Sequence, residues 1–228
     1  MKIQYLGQNC FLFNDKNKTI LSDPFYNYNK ATSGFNISDQ QIDYILLTHA
    51  HGDHIADVDE VLEFHPEASI IGVPEVCRYF KSAKNMESMN LGGSLAVGEL
   101  TISMVPALHT SSFPDGQYGG VAVGYLLGIS EGRNIYLAGD TAVMADMKLF
   151  PELFGKIDLS ILPIGGRYTM DGEGASFAAA ELLKTPQVIG CHFDTFPLIE
   201  IDHEIALRHF ADRNVELILP ELGEVFEF

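Results

Sequence analysis

Three imidazoles and one carboxylate are crowded into six residues, in the run from His49 to His54. Neutral imidazole nitrogens and carboxylate oxygens are good ligands for zinc and similar divalent ions. Residues two apart in an extended segment point to the same side, so His49 and His51 are placed to hold one ion. Gly52 permits a turn that directs Asp53 and His54 toward a second ion. The run therefore predicts a metal site.

One short loop cannot complete two coordination spheres, so ligands from other parts of the chain are required. Three candidates each follow a predicted strand: His109, Asp140 and His192. Cys191 precedes His192 and could bind a metal as a thiolate. A small buried hydrophobic role at a strand end is the more common use of such a cysteine, and we favour it here.

Strands and helices must position these side chains. Short apolar runs and period-two alternation predict strands at Lys2–Leu6, Cys10–Asn14, Thr19–Ser22, Ile42–Thr48, Gly98–Pro106, Val121–Ile129, Asn134–Ala138, Leu159–Pro163, Gln187–Cys191 and Val215–Leu219. Helical spacing predicts helices at Val58–Phe64, from Pro74 to about Phe80, and at Met144–Leu153, Ala175–Leu183 and Ile201–Arg213. A hairpin turn is predicted at Asn14–Asn17. A strand-rich stretch followed by alternating strands and helices thus occurs twice, and the candidate ligands fall at the strand ends where α/β proteins bind ligands.

The composition is that of an ordinary globular domain, with 228 residues, 46% hydrophobic and 20% charged. No stretch approaches the roughly 20 apolar residues of a membrane span, so no membrane association is expected. The first residues are typical of a strand and not of a signal peptide, which predicts a cytoplasmic location. The odd count of three widely spaced cysteines disfavours a disulfide framework.

The formal net charge of −17 indicates which partners to expect. A field of this sign repels phosphate backbones at long range, so nucleic acid is disfavoured. A small-molecule substrate is the expected partner. Assembly into a homo-oligomer is left open, because an acidic surface does not decide it.

The order of these motifs resembles the metallo-β-lactamase superfamily over nearly the whole chain: His-x-His-x-Asp-His, then a histidine, then Gly-Asp-Thr, then a histidine. Within that superfamily the sequence is similar to small metal-dependent hydrolases related to ascorbate-6-phosphate lactonases. The segments that carry this similarity are Tyr5–Gly7, Ser22–Phe25, Leu91–Gly93, Ala138–Thr141, Leu162–Gly166 and Thr169–Asp171. The resemblance implies an α/β fold, a four-layer αββα sandwich, formed by residues 1–228 as a single domain.

The resemblance also implies a division of the ligands between two divalent metal ions. One ion would be held by His49, His51 and His109, the other by Asp53, His54 and His192, with Asp140 bridging the two. Zinc is the expected metal, with manganese, iron and nickel as alternatives, because this ligand set discriminates little among them.

The implied activity is hydrolysis of a small ester-like metabolite, a lactone, thioester or phosphoester, by a metal-bridging hydroxide. Asp53 is the predicted catalytic residue, since it could ligate a metal and pass the proton to the leaving group. Arg167 is a candidate for binding a substrate carboxylate or phosphate. Asp171 is a second candidate substrate residue. Its side chain is expected either to hydrogen-bond a ligand histidine or to cap the following helix. Gln8 departs from the branch, which often has histidine there, so the pocket is expected to differ at that point.

Three alternatives are kept. A nuclease or phosphodiesterase of the same fold is disfavoured by the acidic balance and the lack of Lys/Arg clusters. A di-iron redox protein is disfavoured because such relatives usually carry glutamate at the position of His51 and a fused flavin domain. A non-catalytic scaffold is disfavoured because all seven predicted ligands are intact.

Overall fold

The computed structural model describes residues 1–16, 18–29, 34–129 and 132–228. Residue 17 of the turn predicted at Asn14–Asn17 lies outside the described residues. The chain divides into two compact units. Unit 1 comprises Met1–Asn90, Thr110–Val121 and Glu221–Phe228, and unit 2 comprises Leu91–His109 and Ala122–Pro220. The single domain predicted for residues 1–228 stays a prediction.

Unit 1 is built on a mixed sheet whose described strands lie in the order β14-β1-β2-β3-β4-β5-β6. Their bounds are β1 (Lys2–Gly7), β2 (Cys10–Asp15), β3 (Lys18–Ser22), β4 (Tyr44–Leu46), β5 (Ser69–Gly72), β6 (Asn85–Ser88) and β14 (Val225–Glu227). Neighbours from β14 to β3 are antiparallel, and neighbours from β3 to β6 are parallel. Strands β1, β3 and β4 therefore run in one direction, so the segments that follow them leave from the same edge.

Three helices follow β4 in unit 1: α1 (Gly52–Ile55), α2 (Val58–Phe64) and α3 (Pro74–Tyr79). The apolar spacing that predicted α2 is explained by its buried face, which carries Val58, Val61 and Leu62. Pro74 occupies the first turn of α3, where a missing N–H costs no hydrogen bond. Short 3₁₀ turns at Asn27–Asn29 and Ile37–Asp39 lie on the connection from β3 to β4.

Unit 2 is built on a second mixed sheet, ordered β13-β12-β11-β10-β9-β8-β7 in the described residues. Its strands are β7 (Ser94–Val97), β8 (Leu100–Pro106), β9 (Val123–Gly128), β10 (Asn134–Leu137), β11 (Leu159–Pro163), β12 (Gln187–Cys191) and β13 (Glu216–Ile218). Neighbours from β7 to β10 are antiparallel, and neighbours from β10 to β13 are parallel. Strands β8, β10 and β12 consequently share a direction and end at one edge.

The helices of unit 2 pack on an apolar core that includes Tyr136, Phe150, Leu162 and Phe210. They are α4 (Phe150–Phe154), α5 (Gly172–Phe177), which continues as a π-helical segment at Ala178–Leu183, and α6 (His203–Ala211). The single helix predicted at Met144–Leu153 is a 3₁₀ turn at Ala145–Leu149 followed by α4. Pro151 explains the break, because it has no N–H to bond back into the preceding turn.

The predicted α/β class is confirmed by these two mixed sheets and their helices, and so is the repeated order of strands then alternating units. Strands β5, β6, β7 and β14 were not predicted. Strands of three or four residues are too short to establish alternation, and every residue of β6 is exposed, so it has no apolar pattern at all. No helix in the described residues is both long and apolar enough to span a bilayer.

The three cysteines, Cys10, Cys77 and Cys191, are all buried and unbridged. Burial raises the pKa of the Cys77 thiol to about 12 and raises that of Cys10 as well. Since the thiolate is the reactive form, a thiol reagent at about pH 8 is expected to label the native protein by less than about 0.2 equivalents within minutes. Unfolded protein should react at all three. Rapid labelling of native protein, counted by mass spectrometry, would contradict this burial.

Candidate metal centre

In unit 1, the loop that follows β4 carries four of the predicted ligands, and we call these the unit 1 ligand set: His49, His51, Asp53 and His54. His51 is extended and immediately precedes α1, and Asp53 and His54 lie in that helix. The rings of His49 and His54 are both fully buried, with centroids 4.1 Å apart. The structure thus brings these four side chains together.

Asp23, which follows β3 in the same unit, fixes the orientation of His54. Its Oδ2 lies 2.7 Å from His54 Nδ1, and both side chains are fully buried. A carboxylate only accepts hydrogen bonds, so His54 Nδ1 carries the proton and the ring presents a lone pair on Nε2. Metal-binding histidines are commonly oriented in this way by a carboxylate on the other ring nitrogen.

The Thr48 hydroxyl links the same carboxylate to His49 through a chain of hydrogen bonds. The Thr48 hydroxyl donates to Asp23 Oδ2 over 2.6 Å, and it lies 3.1 Å from His49 Nδ1. With its hydrogen directed to Asp23, the hydroxyl accepts from His49 Nδ1–H, which places the lone pair of His49 on Nε2. One buried carboxylate therefore sets the ring orientation of two ligand candidates.

The separation of the first two histidines fits a shared cation. His49 Nε2 lies 3.0 Å from His51 Nδ1. Two nitrogens bound tetrahedrally to zinc at about 2.0–2.1 Å would be roughly 3.3 Å apart. The far nitrogen of His51 lies 3.5 Å from the hydroxyl of Thr110. The donor chemistry and the spacing both suit a divalent metal ion.

In unit 2, three residues at the ends of strands form the unit 2 ligand set: His109, Asp140 and His192. Asp140 Oδ2 lies 3.4 Å from His109 Nε2 and 3.1 Å from His192 Nε2. One carboxylate oxygen therefore faces two imidazole nitrogens. These residues follow β8, β10 and β12, which end at one edge of their sheet.

Backbone contacts hold the unit 2 ligand set in place. The N–H of Leu108 donates to Thr141 Oγ1 and the N–H of Ala142 to Leu108 O, which joins the loop of Asp140 to that of His109. Gly139 has φ +61°, a left-handed conformation that suits glycine and turns the chain sharply after β10. His192 adopts φ +55°, which is uncommon for histidine.

Gly165 packs directly against the backbone of His192. A Cβ built at Gly165 would lie 2.1 Å from the His192 carbonyl oxygen, so Gly165→Ala must displace that segment. We expect a loss of stability of about 1–3 kcal/mol from overpacking, and metal affinity at least about tenfold lower because a ligand is moved. Urea unfolding of metal-free protein and metal titration measure the two effects.

Gly128→Ala in β9 of the same unit is the matched control, because its Cβ would meet nothing nearer than 3.5 Å. Equal metal affinity in the two variants would show that the His192 segment does not depend on Gly165.

The predicted substrate residues lie on the segment that follows β11. Arg167 is exposed, has φ +49°, and its guanidinium lies 5.8 Å from the ring centroid of Tyr168. Asp171 Oδ1 accepts from the N–H of Gly174, so of its two predicted roles the structure shows the helix cap. Substrate binding by either residue stays a prediction.

Two histidines outside the ligand sets contact other groups. His65 Nε2 lies 3.0 Å from the Ile37 carbonyl oxygen, and His203 Nε2 lies 2.6 Å from Asp194 Oδ2. What the sequence did not reveal is the joint role of Asp23, Thr48 and Asn9 around His54, where Asn9 Nδ2 donates to Asp23 Oδ2 over 2.6 Å. Asp23 stands directly before a proline, and its partners are distant in sequence.

The chain resembles proteins of one family along most of its length. A family model described as a beta-lactamase superfamily domain matches residues 2–192. The chain is 42% identical over 228 residues to the UPF0173 metal-dependent hydrolase of Flavobacterium johnsoniae, covering 100% of both. It is 41% identical over 226 residues to the UPF0173 metal-dependent hydrolase of Methylacidiphilum infernorum, covering 98% of each.

A solved structure agrees with this. Igni18, a metallo hydrolase from the hyperthermophilic archaeon Ignicoccus hospitalis, is similar with a TM-score of 0.86 and 30% identity, over 100% of this chain and 98% of that one. Because the family model spans most of the sequence and the relatives match nearly all of it, the chain belongs to the metallo-β-lactamase superfamily and is a metal-dependent hydrolase of that fold.

Proposed function

We propose that this hydrolase cleaves a small ester-like metabolite, a lactone, thioester or phosphoester, with two divalent metal ions held by the unit 1 and unit 2 ligand sets. One ion is assigned to His49, His51 and His109, and the other to Asp53, His54 and His192. Asp140 would bridge them, and zinc is the expected metal.

The observation that carries the proposal is the donor set itself. Five imidazoles and two carboxylates lie on segments that follow strands, and in each unit the nitrogens and oxygens lie at separations suited to shared ions. Two buried rings are oriented through one carboxylate, so their Nε2 lone pairs are set before any ion arrives. Such preorganisation suits a catalytic metal centre.

When bound, the two ions would activate a shared water as the nucleophile and polarise the carbonyl or phosphoryl oxygen under attack. Asp53 takes the proton that the water loses and delivers it to the departing oxygen or sulfur. In a phosphoester, the bond from the water oxygen to phosphorus forms as the bond to the leaving group breaks. In a lactone or thioester, the water oxygen first adds to the carbonyl carbon, and the bond to the leaving oxygen or sulfur breaks when the carbonyl re-forms. His49, His51, His54, His109 and His192 remain neutral and act only as ligands.

Arg167 is proposed to pair with a carboxylate or phosphate of the substrate. Support comes from its exposure and from its place on the segment after β11, where the neighbouring Tyr168 is also exposed. A planar guanidinium binds such groups through two parallel hydrogen bonds. Since the whole chain carries a charge of −17, one exposed cation would matter to an anionic metabolite.

The test is turnover by the zinc-loaded full chain across a panel of lactones, thioesters, phosphomonoesters, phosphodiesters and short RNAs. Chelated protein is the blank, and Asp53→Ala is the inactive control. The expected result is chelator-sensitive turnover in one class of small ester, which Asp53→Ala lacks.

Chelator-sensitive cleavage of RNA alone would overturn the proposed substrate class in favour of a nuclease. Metal-dependent oxygen consumption by iron-loaded protein, without hydrolysis, would favour a redox enzyme instead. If no substrate of the panel is turned over although two ions are bound, the assignment to these ester classes would be overturned.

A further inference from the structure

The turn between β1 and β2 carries two buried amide side chains, Gln8 and Asn9. Gln8 adopts φ +53°, a left-handed conformation that is uncommon for a residue with a long side chain. Glycine and asparagine occupy such positions at lower cost. The local backbone therefore gives no reason for glutamine here, and its reason must lie in what the side chain contacts.

Each amide of the turn binds one carboxylate near His54. Gln8 Nε2 donates to Asp53 Oδ2 over 2.7 Å, and Asn9 Nδ2 donates to Asp23 Oδ2 over 2.6 Å. Asp23 orients His54 through Nδ1, whereas Asp53 Oδ2 lies 3.7 Å from His54 Nε2. The two neighbouring amides thus hold the two carboxylates on opposite nitrogens of one imidazole ring.

We propose that Gln8 is a positioning residue for the metal centre: it holds Asp53 Oδ2 beside His54 Nε2, ready to bind the same ion, while Asn9 fixes Asp23 behind the ring. This inference rests on the proposed function, since it assigns a role at that site. An amide donor is neutral, so it orients the carboxylate and leaves its negative charge for the cation. A lysine, arginine or imidazolium at the same point would offset that charge.

Gln8 is a poor choice for stability alone, which separates positioning from a structural role. Its Oε1 is buried and has no hydrogen-bond partner among the described residues. An unsatisfied buried acceptor and a left-handed backbone both lower stability. The hydrogen bond to Asp53 is a favourable contact that offsets part of this cost.

Two variants test this, Gln8→Asn and Gln8→Leu. Asparagine suits the left-handed backbone but is one methylene shorter, so it does not reach Asp53. Leucine keeps the bulk and removes the donor. The readouts are the equilibrium zinc affinity of each site, by chelator competition, and the visible absorption of cobalt-loaded protein. Unfolding of the metal-free protein by urea is measured in parallel.

We expect zinc affinity at one of the two sites to fall about 10- to 100-fold in both variants, with an altered cobalt spectrum. The metal-free Gln8→Asn protein should unfold at the same or a higher urea concentration than the wild type. Gln4→Asn is the matched control: it shortens a glutamine of β1, the strand that precedes Gln8, whose Nε2 donates to the Gly223 carbonyl oxygen, and it should leave zinc affinity unchanged.

Asp53→Ala separates failure of this inference from failure of the proposed function. Wild-type zinc affinity in both Gln8 variants, alongside weakened zinc binding in Asp53→Ala, would overturn the role of Gln8 alone. Wild-type zinc affinity in Asp53→Ala as well would overturn the ligand assignment itself. If both Gln8 variants bind zinc more weakly and their metal-free forms are also less stable to urea by a corresponding amount, Gln8 has a structural role. That result would also overturn the proposal.

Discussion

Replacing Asp140 by asparagine is expected to lower turnover more than about a thousandfold, equivalent to about 4 kcal/mol of transition-state stabilisation. The amide has the same shape but lacks the negative charge, and its nitrogen cannot bind a metal. Because Asp140 Oδ2 faces both His109 Nε2 and His192 Nε2, the change should weaken the binding of both ions. The checks are zinc stoichiometry, and turnover on whichever substrate class the panel identifies.

Asp146→Asn provides the matched control, since it makes the same chemical change at an exposed position of unit 2. It should keep wild-type zinc content and turnover. Full zinc occupancy and full turnover in Asp140→Asn would contradict the bridging role, whatever the effect on stability.

Replacing Asp23 by asparagine is expected to destabilise the metal-free protein by about 1–3 kcal/mol, the usual cost of leaving a buried hydrogen-bond donor without its acceptor. Asp23 Oδ1 accepts from the Thr48 N–H, and Oδ2 accepts from Asn9, Thr48 and His54. One oxygen becomes an NH₂ group, so either the Thr48 N–H or the other donors lose their acceptor. The loss is a large share of the roughly 5–15 kcal/mol that holds a typical domain folded.

Urea unfolding of chelated protein measures this effect apart from metal binding. Asp39→Asn, an exposed change in the same unit, should shift the unfolding free energy by less than about 0.5 kcal/mol. A loss below about 1 kcal/mol in Asp23→Asn would show that the network around His54 contributes little to folding.

Two kinds of pattern made parts of the fold and of the site predictable from sequence. The run from His49 to His54 is recognisable as a metal site because all its donor groups lie in one short segment. Strands such as β11 and β12 were predicted with their observed bounds because buried strands are continuous apolar runs.

Other features depend on contacts between distant segments and leave no local pattern. Asn9 and Thr48 meet Asp23 from 14 and 25 residues away, and Gln8 meets Asp53 from 45. Nothing in the local sequence distinguishes Gly165 from other loop glycines, yet a Cβ at this position would overlap the His192 backbone. Such roles become visible only when the fold brings the partners together.

A site for two metal ions is tested by the zinc content of the full chain, measured by mass spectrometry of the metal after loading and exhaustive dialysis against metal-free buffer. We expect about two zinc ions per chain in the wild type, and fewer in Asp53→Ala and Asp140→Asn. One ion or none in the wild type, or two ions in all three proteins, would contradict it.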